Sequence, residues 1–437
     1  LFSGDPTELS KTLKYGEKLG LDELEIFVHI TDVIDVEGEL GEISKTNKAR
    51  ETDIFVRGIA DKRVGFGFTN DMRFLNDTVK KVYSSARANK KDKNWQDLPE
   101  VGKYHDIEEY DPEIEKMSVE EVIDTCQEII DLTPEGITPA FCDARREIGE
   151  KYCINTNGIE ISERGTWNAA YSYLVGKTDT GVTPGCLGIE IMRRKNLNLE
   201  KIVSSAADDV KLSKNLKKAE SGLKDVIIHP YALEDLLCYT LLTSILGENV
   251  VRGKSFLKGK IGSHIFSEKL TMTDDPLYKN GVSTMKFDFE GVPAEKTFLI
   301  KDGILKNFLW NDYWAKIGGE RSTGNAYRNI LKGTVETKPT NIVIEEGNEN
   351  IFDIREGYYV KGFQGAHSSN PESGEFSVVC NPGFKVENGE ITGGCVFMIS
   401  GNIYDLLKNI EDIGREKITG TNIISPLIRF KVHTAAK

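Results

Sequence analysis

The sequence predicts an α+β fold: an N-terminal α/β domain built on a mixed sheet, then a C-terminal strand-rich domain of barrel-like or sandwich form. Three observations predict it. Helix-period apolar runs alternate with strand patterns through the first half. Asn157-Gly158 stands between Tyr152-Cys153-Ile154 and Ile159-Glu160-Ile161, a strong hairpin signature. Beyond Gly247 the pattern turns to short strands and Gly- and Asp-rich turns as far as Pro382. At 437 residues the chain exceeds one ordinary core. Three segments are read: an N-terminal α/β domain over 1–115, a middle α+β segment over 116–221 continuous with it, and a strand-rich domain over 222–437.

Each element has its own signal. Asp5 and Pro6 open a first helix as cap and first helical residue, with Leu9, Leu13 and Gly16 on one face and Gly20 as the stop. Residues 24–30 read as a strand, and 54–59 with 64–68 as a hairpin turning at 60–63. Leu75, Val79, Val82 and Ala86 share a helical face. The polar stretch 87–117 is a long connection. Ser118 and Glu121 form a capping box ahead of Val122, Ile123, Cys126, Ile129 and Ile130, and that helix ends before Pro134. Residues 199–210 make another helix, and the polar run 217–222 marks the main boundary. Residues 226–228 are a buried strand leading to Pro230, which opens an apolar helix over 233–246. Ile403, Leu406, Leu407, Ile410 and Ile413 form a helix face closed by Gly414, and 427–432 is the last strand.

Composition narrows the function. The chain carries 56 Lys and Arg against 69 Asp and Glu, a net charge of −13. A duplex-DNA binder works by neutralising phosphates, so nucleic acid is not the expected partner. Lys90, Lys91 and Lys93 form a local basic patch that reads as a solvated face. The seven cysteines are scattered and include no CxxC pair, which reads as reduced thiols in a cytoplasmic protein. No basic segment followed by an apolar run opens the chain, so a secretory signal is not expected. The apolar helix over 233–246 contains Glu234 and Asp235 and is too short to span a bilayer, so no membrane is expected either.

The six histidines, at 29, 105, 229, 264, 367 and 433, are too far apart to share a helical turn. No helical zinc motif, nucleophile elbow, phosphate loop or dinucleotide fingerprint is present. Cys238, Cys380 and Cys395 read as core thiols. Asp274-Asp275-Pro276 and Asp288-Phe289-Glu290-Gly291 gather four carboxylates, which can share a proton or bind a hard cation. The same residues are also ordinary turn chemistry. Two small-residue loops, 322–328 and 362–371, could bring backbone amides close to a ligand.

Taken in order, several segments resemble the TldD/PmbA family, also called modulators of DNA gyrase. They are Val250-Val251-Arg252-Gly253-Lys254-Ser255, Asp274-Asp275-Pro276, Phe287-Asp288-Phe289-Glu290-Gly291, Ser322-Thr323-Gly324-Asn325 and Asn370-Pro371-Glu372-Ser373-Gly374-Glu375-Phe376-Ser377. Residues 57–67 look like the family's early hairpin. TldD-like members carry an HExxxH zinc helix; aligned on Arg252-Gly253, it falls here on Cys238-Tyr239-Thr240-Leu241-Leu242-Thr243. Neither histidine nor the Glu is present, and the C-terminal Cys-Gly-Lys segment of that branch is missing. The chain therefore resembles the PmbA/TldE branch.

The resemblance implies a cytoplasmic subunit of a peptide-degrading zinc metallopeptidase, non-catalytic itself and shaping the peptide chamber by strand addition. It implies a peptide substrate and a heterodimer with a TldD-like catalytic subunit that holds the zinc, or a homodimer. No cofactor, metal-binding or catalytic residue is assigned to this chain. The chamber candidates are Asn249, Arg252, Ser255, Asp275, Asp288, Glu290, Ser322, Thr323, Asn325 and His367. Two alternatives stand beside it: an independent metal-dependent hydrolase using Asp274, Asp275, Asp288 and Glu290, and a non-enzymatic adaptor or scaffold.

Overall fold

The computed structural model describes residues 6–179, 181–329, 332–419 and 421–436, so the expected cap Asp5 lies outside the described residues. The first helix, α1 (Pro6–Leu19), buries Leu9, Leu13 and Gly16 as the spacing requires. Three strands follow: β1 (Glu23–Glu39), β2 (Glu42–Ala60) and β3 (Arg63–Thr69). Next come α2 (Leu75–Ala88), the single turn α3 (Pro112–Glu115) and α4 (Val119–Leu132). Both halves of the Ser118–Glu121 capping box are made. Then β4 (Ile137–Asn155) and β5 (Glu160–Thr178) form the long hairpin that Asn157-Gly158 announces. The short β6 (Gly181–Val182), β7 (Cys186–Met192) and α5 (Leu199–Lys214) complete this half.

These strands make one seven-stranded sheet in the order β3-β2-β1-β4-β5-β6, with β7 also on β5. Every pairing in it is antiparallel, which corrects the expectation of a mixed N-terminal sheet. Tight turns join β1 to β2 and β2 to β3 with two residues each and β4 to β5 with four, and connections so short join only antiparallel strands. Alternation along each strand then divides the sheet into two faces. Ile26, Val28 and Ile30 pack with α1 and α2, while Ile34, Val36, Cys142 and Ala144 pack with α4 and α5. Glu25, Phe27 and His29 point the other way.

The C-terminal half is strand-rich and curled. Its larger sheet takes β8 (Gly222–Ile228) between strands Glu356–Val360 and Ile428–Ala436, and continues through Glu390–Asn402 to Glu375–Glu387 and Phe363–Gln364. Glu356–Val360 also pairs with Glu375–Glu387, so the path of pairings returns on itself and the sheet curls into the barrel-like form expected. The parallel pairings lie in this half, between β8 and Glu356–Val360 and, in a five-stranded sheet, between Ile342–Ile344 and Ile423–Ile424.

Two predicted helices differ. The apolar helix over 233–246 is broken into α6 (Pro230–Cys238), α7 (Leu241–Ser244) and α8 (Gly247–Val251). The buried hydroxyl of Thr240 donates to the Leu236 carbonyl at 2.6 Å, a local bond that competes with the helix ladder. The C-terminal helix stops at Lys408, and Ile410–Ile413 is instead a strand against Ile428–Ala436. Among the described residues no helix is long and apolar enough to cross a membrane.

The two halves meet on the helix-free face of the N-terminal sheet. Arg57 on β2 donates to Glu25 Oε2 at 2.8 Å and to Glu290 Oε1 at 2.6 Å, and Arg328 pairs with Glu25. All four side chains are buried. Phe27 stacks on Phe289 at 4.8 Å beside them, and Tyr104 donates to the Gly291 carbonyl at 2.8 Å. Removing one member of such a set strands the opposite charge in the interior. Arg57→Met should therefore cost about 3–5 kcal/mol, read as a lower urea midpoint; an unchanged midpoint would contradict this account of the joint.

Candidate functional site

The break between α6 and α7 is set by its ends. His229 caps α6, its Nδ1 accepting the Tyr231 amide at 3.2 Å, and Pro230 is the first helical residue. Thr240 then interrupts the helix. Cys238 and Tyr239 are exposed, whereas Leu241 and Leu242 turn into the core. Cys238 is therefore not the core thiol its apolar neighbours suggested; Cys380 and Cys395 are buried as expected.

A cavity of about 200 Å³ opens beside Cys238, lined by Leu242, Thr243 and the strip Lys338-Pro339-Thr340. The same strip lines a larger cavity of about 350 Å³, which reaches across to His29, Lys151, Trp167, Phe289 and Tyr327. On the other side Glu234 is shared with a third cavity of about 430 Å³, lined by Tyr173, Tyr231, Lys361 and Gln364. Through these shared lining residues the three cavities make a row, a trench: those of about 350 and 430 Å³ are lined from both halves, and the one beside Cys238 from the C-terminal half alone.

Family comparisons agree with this architecture. A model described as PmbA/TldA metallopeptidase C-terminal domain matches residues 221–437, and one for domain 1 of the same metallopeptidases matches 24–90. The chain belongs to the TldD/PmbA family. An uncharacterized protein of Methanocaldococcus jannaschii is 31% identical over 97% of this chain and 99% of its own. The metalloprotease PmbA of Escherichia coli O157:H7 is 27% identical over 66% of this chain and 58% of its own. A crystal structure of TldE from Thermococcus kodakarensis superposes with a TM-score of 0.94 at 33% identity, covering 98% of this chain and 100% of that one. The TldD/PmbA chain described here thus matches relatives of the PmbA/TldE branch.

In the segment where the resemblance puts a zinc helix, the residues present do not fit a metal. Thr240 is committed to Leu236, the two leucines are core, and the Thr243 hydroxyl donates to the Cys238 carbonyl at 3.1 Å. Among the described residues no group of three or more His, Cys, Asp or Glu side chains is placed to hold a metal ion.

The acidic turns prove to be buried joints. Asp274 accepts from the Thr340 amide at 2.6 Å and from Asn325 Nδ2 at 2.8 Å, and Asn325 also bonds the Lys338 carbonyl at 3.1 Å. Together they pin the strip shared by two cavities. Asp288 accepts three backbone amides, from Glu290, Val292 and Ala326. Burial pushes its carboxyl up to about 8, with Glu290 adding to the rise and those amides opposing it. Burial likewise raises Asp274 to about 6 against its bonds from Asn325 and Thr340. Glu290 takes Arg57 and the Asp312 amide, and Asp275 takes the Leu277 amide and Lys296 at 3.0 Å.

The other chamber candidates divide. Thr323 and Ser322 hold the same loop, the first bonding Asn325 Oδ1 at 2.6 Å and the second the Trp310 carbonyl at 3.2 Å. Asn249 and Ser255 bond the carbonyls of Thr243 and Ser244, bracing α7. Arg252 is elsewhere, its guanidinium 4.9 Å from the Trp314 ring in a separate cavity. His367 is exposed, 6.5 Å from the Tyr239 ring. None of these candidates lines the central trench directly; six of the ten (Asp275, Asp288, Glu290, Ser322, Thr323 and Asn325) belong to the loops that hold its walls.

Residues lining the trench were missed. His29, Lys151 and Trp167 lie on neighbouring strands, His29 opposite Lys151 and Trp167 opposite Glu147. Their signal was a run of polar and aromatic residues on one parity of β4 and β5. Burial, helped by Lys151, pushes His29 down to about 4, and burial with Lys361 nearby pushes His229 down to about 3. Both lie below the ordinary value near 6.5, so the stability they contribute is full above pH 6.5 and lost as pH falls toward 4 and 3. Asp288 runs the other way, its contribution lost as pH rises toward 8. Site-resolved NMR of the imidazoles separates the two: the His29 and His229 rings should not titrate between pH 8 and 5. A midpoint of 6–7 for both would contradict their burial.

Proposed function

We propose that the chain is a PmbA/TldE-type subunit that lines the peptide channel of a cytoplasmic two-subunit zinc peptidase. A TldD-like partner supplies the metal and the hydrolytic step. The observation that carries this reading is the course of the trench. It borders Cys238, Leu242 and Thr243, in the segment where the resemblance to the catalytic branch puts a zinc helix, and here the segment offers no ligand pair. A substrate path is kept where the chemistry is absent.

Three further facts support it. The relatives include a protein named TldE and another named metalloprotease PmbA. The seven free cysteines suit a reducing compartment. The carboxylates that an independent hydrolase would need are spent on internal bonds, so the metal-hydrolase alternative has no free ligand set among the described residues.

The reading has a direct assay. The purified chain alone should bind less than stoichiometric zinc and leave an unstructured peptide intact. Mixing it with an HExxxH-bearing homologue from the same genome should produce chelator-sensitive cleavage. In that pair, Cys238→Trp, which fills the cavity beside the α6–α7 break, should lower kcat/KM by about tenfold or more without changing the partner's zinc content; a tenfold change corresponds to roughly 1.4 kcal/mol of lost transition-state binding. Chelator-sensitive cleavage by the lone chain would overturn the proposal.

A further inference from the structure

We propose that the cavity of about 350 Å³ is a specificity pocket that takes one uncharged aromatic or large apolar side chain of an extended peptide. The inference rests on the channel reading above and names which residue of the peptide the channel selects.

The pocket has a floor without side chains. Gly149 and Gly165 face each other across β4 and β5. A Cβ on Gly149 would stand 2.9 Å from the Trp167 ring, and one on Gly165 would stand 2.5 Å from the Arg193 guanidinium. Any other residue at either position would push on the ring that lies over the floor. That ring is fixed: Trp167 Nε1 donates to the Val282 carbonyl at 2.9 Å, and the Arg193 guanidinium sits 4.0 Å from the ring centre. Facing it, Phe289 and Tyr327 stand with ring centres 5.2 Å apart. The volume of about 350 Å³ lies in the range of small-ligand pockets, enough for the bulkiest side chain.

Apart from Lys338, the charged groups on the lining are bonded internally. Lys151 lies 2.8 Å from the Glu163 carboxylate, and Glu147 lies 2.7 Å from Arg145. Arg193 donates to the carbonyls of Glu109 and Val282 while covering Trp167. Lys338 is at the exposed rim, its ammonium 4.9 Å from the Tyr327 ring centre. A charged side chain entering the pocket would lose its water and meet groups already paired, which is costly. An aromatic one would exchange water for three rings in favourable tilted contact.

Fluorescence anisotropy on the full chain tests this with end-blocked, labelled heptapeptides of Gly and Ser that differ in one central residue. The Phe peptide should bind at least about tenfold tighter than the Gly peptide, and the Glu and Lys peptides no tighter than Gly. Tyr327 is 37% exposed, so Tyr327→Ala removes a wall and leaves the core in place. It should weaken the Phe peptide about five- to tenfold and leave the Gly peptide unchanged. Binding without preference for Phe, or equal weakening of all peptides by Tyr327→Ala, overturns the pocket while leaving the channel. Failure of every peptide to bind overturns the pocket and the channel reading together.

Discussion

Two arginines and two glutamates, buried where the halves of the chain meet, hold the arrangement on which the rest depends. Arg57 and Glu25 come from the N-terminal sheet, Glu290 from a turn of the C-terminal half and Arg328 from its short strand Ala326–Asn329. An ion set so deeply buried is not chosen for stability alone, because the cost of drying four charges offsets much of their attraction. Its geometry is specific, however. Arg57 bridges Glu25 of the sheet to Glu290, and Arg328 reaches back to Glu25, so the set ties the two halves together at one register.

From the joint outward, the same loops build the walls. Asp288 ties the 288–292 turn to Ala326, and Asp274 ties Asn325 to the strip that two cavities share. The motif segments are thus largely occupied in holding one another. The surface they present to the trench is made by their neighbours, Phe289, Tyr327 and Lys338, together with Trp167, whose ring lies over Gly149 and Gly165 of the sheet. In the segment where the resemblance to the catalytic branch puts a zinc helix, this chain has a helix broken by Thr240.

Much of the fold was legible because it rests on local signals. The Ser118–Glu121 box, the Asn157-Gly158 turn and the 3.6-residue spacing of Leu75, Val79, Val82 and Ala86 each need only a few neighbouring residues. What was missed depends on partners distant in sequence. Residues 42–52 of β2 are polar and mostly exposed, and only the ladder with β1 makes them a strand. Ile410 and Ile413 keep helical spacing with Leu406 and Leu407, yet pairing with Ile428–Ala436 outweighs that continuity. In the site, Asp274 and Glu290 read as turn chemistry or as a carboxylate cluster, and their burial was not legible because sequence does not report it. Trp167 and Lys151 carried no motif at all, and their role follows from which strand faces meet.

The central claim is that a substrate peptide runs past the α6–α7 break of this chain while another subunit cleaves it. Among the described residues Cys238 is the one exposed thiol of seven, and it lies at that break. A photoreactive benzophenone attached to Cys238, irradiated in the assembled pair with peptide present, should slow cleavage as Cys238→Trp does and capture the peptide, with the adduct mapped by mass spectrometry. The account predicts a Cys238–peptide adduct that untagged competitor peptide suppresses. Cleavage proceeding with no peptide captured at Cys238 would contradict it.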